Sequence, residues 1–514
     1  MIDSHWALEL LTWLEVSFVV LVGIALLVVV IMYITDISQN THTIRKNYPV
    51  IGRFRYFFEH LGEFFRQYFF ANDREEMPFN RADRSWVYRA AKNVDSNIGF
   101  GSTLDLKEPG TLIFLNSAFP IQENDALIPS PVTLGPFCKT PYTTHSIFNI
   151  SGMSYGAISS PAIRALSQGA AKAGCWLNTG EGGLSPYHLE GNCDLVFQIG
   201  TAKYGVRDHD GNLSDARLIE LAAIPQIKMF EIKLSQGAKP GKGGILPAEK
   251  VSAEVALIRG IPEGQASISP NGHTDIRSVK DLLGMINHIR NVTGKPVGFK
   301  AVLGEKNWLI DLIHEIRLQG IEAAPDFITL DSADGGSGAA PQPLMDHVGL
   351  PIKESLPWVT ALLTEAGLKD RIKIIVAGKL VTPHMVAWAL ASGADFVNSA
   401  RGFMFALGCI QALQCHKNTC PTGITTHNKK LQKGLDPTNK AERVAAYQYN
   451  ITKSVSMIAH SCGAAEPRQL KSEHINIVNA NGFSIPLDDY NPQPLIFSPH
   501  NSHFSGGETL TKNK

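Results

Sequence analysis

From residue 146 onward, short apolar runs alternate with stretches whose apolar residues recur at helical spacing. The apolar runs predict strands near 147–151, 175–179, 195–200, 228–234, 265–269, 296–302, 326–331, 372–377 and 395–399. The helical patterns between most of them cover 160–173, 276–291, 307–318, 353–366 and 382–391. Regular alternation of this kind is typical of parallel strands joined by helical crossovers.

Polar or glycine-rich loops follow nearly every predicted strand. They read SGMSYGAIS, NTGEGGLS, KLSQGAKPGKGG, SPNGHTD, DSADGGSGAAP, AGKL and NSARG. In a (β/α)₈ barrel such loops gather on one face, where barrel enzymes place their active sites. The pattern therefore predicts an α/β protein built on a (β/α)₈ TIM barrel. An open doubly wound sheet is the alternative architecture, although no G-x-G-x-x-G motif opens the first helix.

The amino-terminal region contains a long apolar segment without charged side chains between Glu15 and Asp36. As a helix it is long enough to cross a hydrocarbon core of roughly 30 Å, so we predict one transmembrane span near 16–35. A cleaved signal peptide is the alternative, but no basic residue precedes the apolar run. Basic residues follow it instead, which predicts a cytoplasmic catalytic domain at the inner membrane. They are Arg45, Lys46, Arg53 and Arg55.

Residues 51–70 predict a second amino-terminal helix with one aromatic face. Its aromatic and apolar residues recur at i, i+3 and i+4. Such a face could lie in a membrane interface or pack on the flank of the barrel, and the sequence leaves both open. The following residues, 71–145, contain short strands and turns, and the tail after Asp488 resembles a loosely ordered end.

Composition narrows the class of protein. Hydrophobic residues make up 44% and charged residues 18% of the 514 residues, which is typical of a globular chain. The formal net charge is +0, so no electrostatic argument favours nucleic acid as a partner. The 7 cysteines are too few for a disulfide scaffold in a chain of this length.

Three cysteines crowd into one short segment, CIQALQCHKNTCPTG, at Cys409, Cys415 and Cys420. Three thiolates this close, followed by a turn-forming Pro-x-Gly, can hold a small iron–sulfur cluster. A zinc site that also uses His416 or His427 is the competing metal site, and three ordinary buried cysteines are the plain alternative. The other four are scattered and are predicted to be core residues: Cys138, Cys175, Cys193 and Cys462.

The cysteine spacing and Pro-x-Gly resemble the [3Fe–4S] segment of the FMN-binding domain of glutamate synthases. Four further motifs occur in the same order as in that family, over roughly residues 80–460. They are NTGEGG at 178–183, KLSQGAKPGKGG at 233–244, SPNGHTDI at 269–276 and DSADGGSGAAP at 331–341. Within the family the chain resembles a stand-alone, membrane-anchored branch. The loop histidine His273 is ambiguous, since a lone loop histidine is usually structural.

The resemblance assigns a substrate site to two of these loops. Glu181, flanked by glycines after an apolar strand, and Lys239 are the candidate catalytic residues. A partly desolvated carboxylate there is expected to have a raised pKa, which suits proton transfer. The candidate contacts to the oxo acid are Lys233, Gln236, Lys239 and Arg259, and Lys233 is also a candidate flavin contact. Cations of this kind suit a dicarboxylate.

The predicted flavin site uses loops after four strands. The first contributes Ser151, Met153 and Ser154. The DSADGG loop offers backbone N–H groups that form an anion-binding nest, at Gly335, Gly336, Ser337 and Gly338. The loops after the last two strands predict a phosphate site, at Gly378, Lys379, Ala400 and Arg401. Here the chain departs from the family pattern, because Ala377-Gly378-Lys379 replaces an acidic, glycine-rich turn.

The resemblance therefore implies a reaction in which reduced FMN delivers hydride to the imine formed from 2-oxoglutarate and ammonia. Electrons are expected from an iron–sulfur donor such as ferredoxin, because no nicotinamide-binding unit is visible. Ammonia is expected to be free or supplied by a partner glutaminase. Methylamine as the amine, or a non-catalytic electron-transfer subunit, are the alternative functions.

The predicted organisation has four regions. A transmembrane segment occupies 1–35, and a juxtamembrane segment leads into the barrel over 36–145. The barrel covers 146–465 with its iron–sulfur segment at 402–424. A carboxyl-terminal extension occupies 466–514.

Overall fold

Eight short strands, almost wholly buried on both faces, form one closed and entirely parallel barrel. The computed structural model describes residues 5–39, 41–95 and 97–491. The barrel strands are β1 (Phe148–Ile150), β2 (Leu177–Asn178), β3 (Leu195–Ile199), β4 (Ile227–Lys233), β5 (Val297–Val302), β6 (Phe327–Asp331), β7 (Lys373–Ala377) and β8 (Phe396–Ser399). The sheet closes where β8 pairs with β1, Val397 opposite Phe148. The predicted (β/α)₈ barrel is confirmed.

Five of the helices that follow the strands lie within a few residues of their predicted ranges, and four more were not predicted. The first, Ser160–Ala173, begins at Ser159, whose hydroxyl accepts a hydrogen bond from the Ala162 amide, and ends at left-handed Gly174. The others are Pro186–Leu189, Asp215–Ala222, Val279–Thr293, Asn307–Gln319, Ile352–Glu365, Pro383–Ala391, Arg401–Leu407 and Pro437–Ser461. Apolar stripes on these helices cover the outside of the barrel, so strand and helix patterns agree with one core.

The predicted strand at 265–269 is not part of the barrel. Ser267–Ile268 pairs antiparallel with Ile245–Leu246 in a two-stranded sheet. Both strands belong to an insertion that lies between β4 and β5 in the sequence. A short apolar run bounded by turn residues does not reveal which sheet it joins. This insertion also carries the helix Ala253–Arg259.

A hairpin formed by Val132–Leu134 and Tyr142–Thr144 closes the amino end of the barrel. Its Leu134 and Tyr142 pack against side chains from the starts of five barrel strands and the residue before β2, which are Trp176, Val196, Met229, Phe327, Ile375 and Phe396. The barrel interior is therefore filled at this end, and the loops at the opposite end are left to form a site.

The chain divides into two compact units, Met1–Ala82 and Asp83–Lys514. In the second unit Leu112–Phe114 pairs with Ile475–Val478, which pairs in turn with Ser484–Pro486. One small sheet therefore combines a strand that precedes the barrel in the sequence with two strands that follow it. The helix Arg81–Ala91 begins at the boundary between the units, and a short helix, Leu487–Tyr490, ends the described chain. The predicted loose end after Asp488 falls mostly outside the described residues.

The first unit begins with the helix His5–Ser38. Its segment Leu8–Ser38 has a mean hydropathy of 3.0 and is the one described helix long and apolar enough to cross a membrane. The helices Thr43–Asn47 and Gly52–Phe65 follow, and a π-helical turn, Arg66–Phe70, extends the last one.

Asp326, the residue before β6, connects several elements at the amino end of the barrel. Its carboxylate is fully buried and pairs with Arg290 at 3.0 Å and Arg371 at 2.9 Å. It also accepts a hydrogen bond of 2.8 Å from the Val297 amide at the start of β5. Two buried arginines and one strand therefore depend on a single carboxylate.

We predict that Asp326→Asn lowers the free energy of unfolding by roughly 3–5 kcal/mol, because it leaves two buried guanidinium groups without a counter-charge. The denaturant midpoint of the purified chain measures the loss. Asp210→Asn, on an exposed loop, is the control and is expected to change the midpoint little. Equal midpoints for the two variants would contradict this role of Asp326.

Candidate active site at the carboxyl ends of the strands

Glu181 and Lys233 form a buried ion pair at the carboxyl ends of β2 and β4. Lys233 Nζ lies 2.7 Å from Glu181 Oε1, and the two side chains are 9% and 15% exposed. Lys233 also donates a hydrogen bond to the Gln236 side-chain oxygen. The folded barrel thus brings together residues that are far apart in sequence and lie at the ends of β2 and β4, two strands separated by β3 in the barrel.

Two glycines make room for the Glu181 side chain. A Cβ atom added to Gly200, after β3, would lie 2.6 Å from Glu181 Oε2. A Cβ added to Gly244, at the end of the KLSQGAKPGKGG loop, would lie 2.7 Å from Glu181 Oε1. Real Cβ atoms do not approach oxygens this closely. The glycines of these loops are therefore needed to seat the carboxylate.

The structure corrects the predicted direction of the Glu181 pKa. Burial raises this pKa, as expected from the sequence, but the charge and hydrogen bond of Lys233 lower it, and so do the charges of Lys239 and Arg259. The net shift is downward. Glu181 is therefore ionised at neutral pH before any ligand binds, and it enters a reaction as an acceptor of protons.

Lys239 is a buried cation beside this pair. The residue is 3% exposed, and in the described part of the chain its ammonium group forms no hydrogen bond or ion pair. Burial and the charge of Lys233 lower the pKa of Lys239 to about 8, although Glu181 acts in the opposite direction. A buried ammonium without a counter-charge is unfavourable, so this position suits an anionic ligand.

Arg259 reaches the same region from the helix Ala253–Arg259. Its guanidinium donates to the Ser267 hydroxyl at 3.3 Å and to the Tyr155 carbonyl at 3.2 Å, and its Nε has no partner in the described chain. Burial lowers the pKa of Arg259, whereas Tyr204 and Glu181 raise it. All four predicted substrate contacts therefore lie around Glu181.

Gln236 connects this pocket to a neighbouring cleft. Its amide nitrogen donates to Ser337 Oγ at 3.2 Å. The cleft has about 470 Å³ of empty space, part of it open to solvent, and its lining comes from the ends of β1 and β4 to β8. Six predicted flavin contacts line it: Ser151, Gly336, Gly378, Lys379, Ala400 and Arg401.

The cations of the cleft are held by a neighbouring loop. Lys379 Nζ lies 3.2 Å from an Asp334 carboxylate oxygen, and Arg401 donates to the Asp334 carbonyl at 2.9 Å. A Cβ on Gly336 would lie 2.9 Å from the Arg401 side chain, so glycine is needed where this arginine crosses the loop. The DSADGG loop therefore orients both cations.

Some predicted flavin contacts are placed differently. The Gly335 amide donates to the Ser332 carbonyl at 2.8 Å and is not available to a nest. Within the described chain, the amides of Gly336, Ser337 and Gly338 make no backbone hydrogen bond. The backbone of Met153 and Ser154 packs against Gly180, beside the Glu181 loop.

Sequence reasoning missed a second buried ion pair, which lines the floor of the cleft. Lys300 on β5 lies 3.0 Å from Asp331 at the end of β6. Burial lowers the pKa of Lys300, but Asp331 and Glu231 raise it, and the net direction is upward. The signal was present in VGFKAV, where one lysine interrupts an apolar strand.

A further buried carboxylate, Glu231 on β4, was also missed. It accepts hydrogen bonds from Asn178 at 2.9 Å, Gln198 at 2.5 Å and Thr329 at 2.7 Å. It therefore joins strands β2, β3 and β6 below the site. His273 also connects parts of the chain below the site, because its Nε2 lies 3.1 Å from the Lys233 carbonyl oxygen.

The segment that carries the three cysteines lies against the same face of the barrel. Ser159, after the first loop, donates its amide to the Ile424 carbonyl at 2.8 Å. His427 Nε2 lies 2.9 Å from the Gly156 carbonyl, and His416 is exposed. Among the described residues, no group of three His, Cys, Asp or Glu side chains could hold a single metal ion.

Lys250 fastens this segment to the first barrel loop. Its ammonium is buried and donates to the Cys415 carbonyl at 2.6 Å and the Ala157 carbonyl at 3.1 Å. Burial raises the pKa of the Cys409 thiol to about 12. Burial also raises the pKa of Cys420, but hydrogen bonds from Thr422 and Thr425 outweigh it, so that pKa is lowered.

Fold and site together define a barrel enzyme whose reaction takes place at the carboxyl ends of the strands. Residues 121–465 match the family described as a conserved region in glutamate synthase. The chain is also 38% identical to the glutamate synthase large subunit-like protein YerD of Bacillus subtilis, over 92% of this chain and 97% of that protein. The chain therefore belongs to the glutamate synthase family of oxidoreductases.

Two other similarities set the extent of the shared region. An archaeal-type glutamate synthase (NADPH) of Dehalococcoides mccartyi is 36% identical over 57% of this chain but only 55% of its own length. The chain thus spans about half of that relative. A glutamate synthase large subunit-like protein of Rhizobium meliloti is 29% identical over 78% of this chain and 92% of that protein.

We predict that small dicarboxylates such as 2-oxoglutarate bind more weakly as the pH rises through about 8, where Lys239 loses its proton. The charged, protonated form is the one that attracts an anion, so binding is strongest below this pH. Lys239→Arg should remove the dependence, because a guanidinium stays charged. Calorimetric titration at several pH values measures it.

Lys228→Arg is the matched control, since Lys228 pairs with Asp194 at the opposite end of the barrel. This variant should keep the wild-type pH dependence. If Lys239→Arg also kept it, Lys239 would not be the titrating group.

Proposed function

We propose that this protein is an FMN- and iron–sulfur-dependent oxidoreductase that reductively aminates 2-oxoglutarate to L-glutamate. The observation that carries the proposal is the buried Lys239 ammonium, without a partner in the described chain, beside the Lys233–Glu181 ion pair. The pair cancels its own charge, so Lys239 and Arg259 leave the pocket positive. A small dicarboxylate supplies the missing negative charge, and the chain's family membership favours a 2-oxo acid.

Each group in the pocket has a separate task. Lys239 and Arg259 neutralise carboxylate groups of the oxo acid. Lys233, fixed by Glu181 and Gln236, orients the carbonyl end. Glu181 is ionised, so it can accept a proton as ammonia adds to the carbonyl.

The adjoining cleft fits FMN. Arg401 and Lys379, with the amides of Gly336, Ser337 and Gly338, provide donors for a phosphate group. Lys300, paired with Asp331, lines this cleft and can donate a hydrogen bond to the ring system. Bound FMN, once reduced by two electrons from the donor, would supply the hydride that reduces the imine. Gln236 lines the cleft and contacts Lys233, so the substrate pocket and the flavin site adjoin.

The cysteine segment fits a [3Fe–4S] cluster held by Cys409, Cys415 and Cys420. Cys420 is buried and Cys409 and Cys415 are half-buried, and the three thiols lie close enough to influence one another's charge. The buried Lys250 ammonium favours an anionic cluster here. The cluster would pass electrons to the flavin.

The remaining requirements concern supply and location. Electrons come from an iron–sulfur donor such as ferredoxin, and ammonia is free or delivered by a glutaminase. The helix His5–Ser38 crosses the cytoplasmic membrane once. The basic residues that follow it keep the barrel on the cytoplasmic side.

We predict that Glu181→Gln retains FMN and iron but lowers the rate of glutamate formation at least about a hundredfold, the usual weight of a positioned acid–base group. The amide keeps the size of the side chain and loses its proton affinity. Flavin absorbance, iron content and the rate of glutamate formation are measured on the same preparation. An unimpaired rate would remove Glu181 from the reaction.

Gly244→Ala tests the placement of the carboxylate without altering any polar group. The added methyl would lie 2.7 Å from Glu181 Oε1 and would displace the carboxylate. The rate of glutamate formation should therefore fall at least about tenfold. Gly284→Ala is the matched control, because a Cβ there meets nothing within 4 Å. Equal rates for the two alanine variants would contradict the seating of Glu181 between glycines.

We predict that anaerobically purified protein contains iron and acid-labile sulfide with a three-iron electron paramagnetic resonance signal. Cys409→Ser, Cys415→Ser and Cys420→Ser should each lose most of this signal. Cys462→Ser is the control and should retain it, since Cys462 is a scattered core cysteine. Stoichiometric zinc without iron or sulfide would overturn both the cluster and the electron path.

A further inference from the structure

The helix Gly52–Phe65 and its π-helical extension Arg66–Phe70 carry a continuous row of exposed aromatic side chains. Each is between 40% and 73% exposed, although aromatic rings are ordinarily buried. Most recur at i, i+3 or i+4, so they share one face: Phe54, Phe57, Phe58, Phe65, Tyr68 and Phe69. We call this set the aromatic face.

The other side of the same helix is already packed. The Tyr56 ring lies 5.0 Å from the His42 ring and 4.8 Å from the Arg45 guanidinium. Gly52 is buried against the helix Thr43–Asn47, where a Cβ would meet the Ile44 carbonyl at 2.8 Å. The orientation of the helix is therefore fixed, and the aromatic face points away from these neighbours.

An ion pair between buried Asp36 and half-buried Arg53 joins the start of this helix to the end of the apolar helix His5–Ser38. Asp36 is 1% exposed, and its carboxylate lies 2.8 Å from Arg53. Asp36 also accepts a hydrogen bond of 3.0 Å from the Val50 amide, and Arg53 donates to Thr35 at 2.7 Å. Arg53 thus lies beside the last turn of the apolar helix.

This attachment identifies what covers the aromatic face. If the apolar helix crosses a bilayer, its last turn lies at headgroup level, and a helix tied to that turn lies there as well. Aromatic side chains with a basic neighbour suit this boundary, because the rings enter the acyl region while the exposed Arg55 meets anionic headgroups. Membrane lipid therefore explains why the aromatic face lies at headgroup level, whereas a protein partner would not require that position.

We propose that the aromatic face of residues 52–70 lies in the headgroup–acyl boundary of the membrane that His5–Ser38 crosses, and that the Asp36–Arg53 pair sets this placement. The proposal rests on the membrane anchor proposed above. It adds a second, in-plane attachment, so the chain is held at the surface by a spanning helix and by a helix that lies on the bilayer.

Site-specific photocrosslinking of the full chain tests the proposal. Benzoylphenylalanine replaces Phe57 on the aromatic face, Glu59 on the polar face as the matched control, or Leu26 within the apolar helix. The protein is reconstituted in vesicles of phosphatidylcholine and phosphatidylglycerol, and lipid adducts are counted by mass spectrometry. We expect adducts at positions 57 and 26, and at least about fivefold fewer at position 59.

The outcomes separate the proposal from the anchor on which it rests. Lipid adducts at position 26 with protein adducts at position 57 would overturn the in-plane helix and leave the anchor standing. No lipid adducts at position 26 would overturn both. Adding Asp36→Asn to the Phe57 probe should reduce its lipid adducts severalfold and spare those at position 26; an unchanged yield would remove the ion pair from the proposal.

Discussion

The placement of Glu181 against Lys233 determines the rest of the site. A buried ion pair is favourable only where its geometry is good and its remaining hydrogen bonds are satisfied. Gly200 and Gly244 leave space for the Glu181 carboxylate, and the Gln236 side-chain oxygen accepts a hydrogen bond from the Lys233 ammonium. Because this pair is neutral as a unit, the charge of Lys239 is left without compensation. An anionic ligand would supply the missing negative charge, which is the basis of the proposed preference for a dicarboxylate.

The two ends of the barrel differ in the kinds of side chain that they bury. At the amino end, the hairpin packs an apolar layer and Asp326 fixes two arginines. At the carboxyl end, buried charges lie close together: Glu181 with Lys233, and Lys300 with Asp331. The amino end is therefore filled by packing side chains, whereas the carboxyl end places charged groups around the candidate site.

Much of this architecture follows from the sequence, because buried parallel strands and amphipathic helices leave clear patterns. The predicted helix 160–173 coincides with Ser160–Ala173, and each barrel strand lies within a few residues of its prediction. The run at 265–269 was misassigned to the barrel because two paired residues look like any short strand. Patterns report burial well and pairing partners poorly.

The site was predicted in its residues more than in its physics. The loops around Glu181, Lys233 and Lys239 were identified, but the pKa of Glu181 was predicted in the wrong direction. Lys233 lies far along the chain, and local sequence does not show that it pairs with Glu181. Lys300 and Glu231 were missed for a similar reason, since a charge within an apolar strand gives no sign of its partner.

The most direct test supplies the purified full-length protein with 2-oxoglutarate, isotopically labelled ammonium, an equal concentration of methylamine and a chemical one-electron reductant. Products are identified by mass spectrometry. L-glutamate that carries the label is expected as the main product if, as proposed, the pocket binds the dicarboxylate and Glu181 accepts a proton as ammonia adds to the carbonyl. N-methylglutamate as the main product, or flavin turnover without any amino acid, would contradict this proposal.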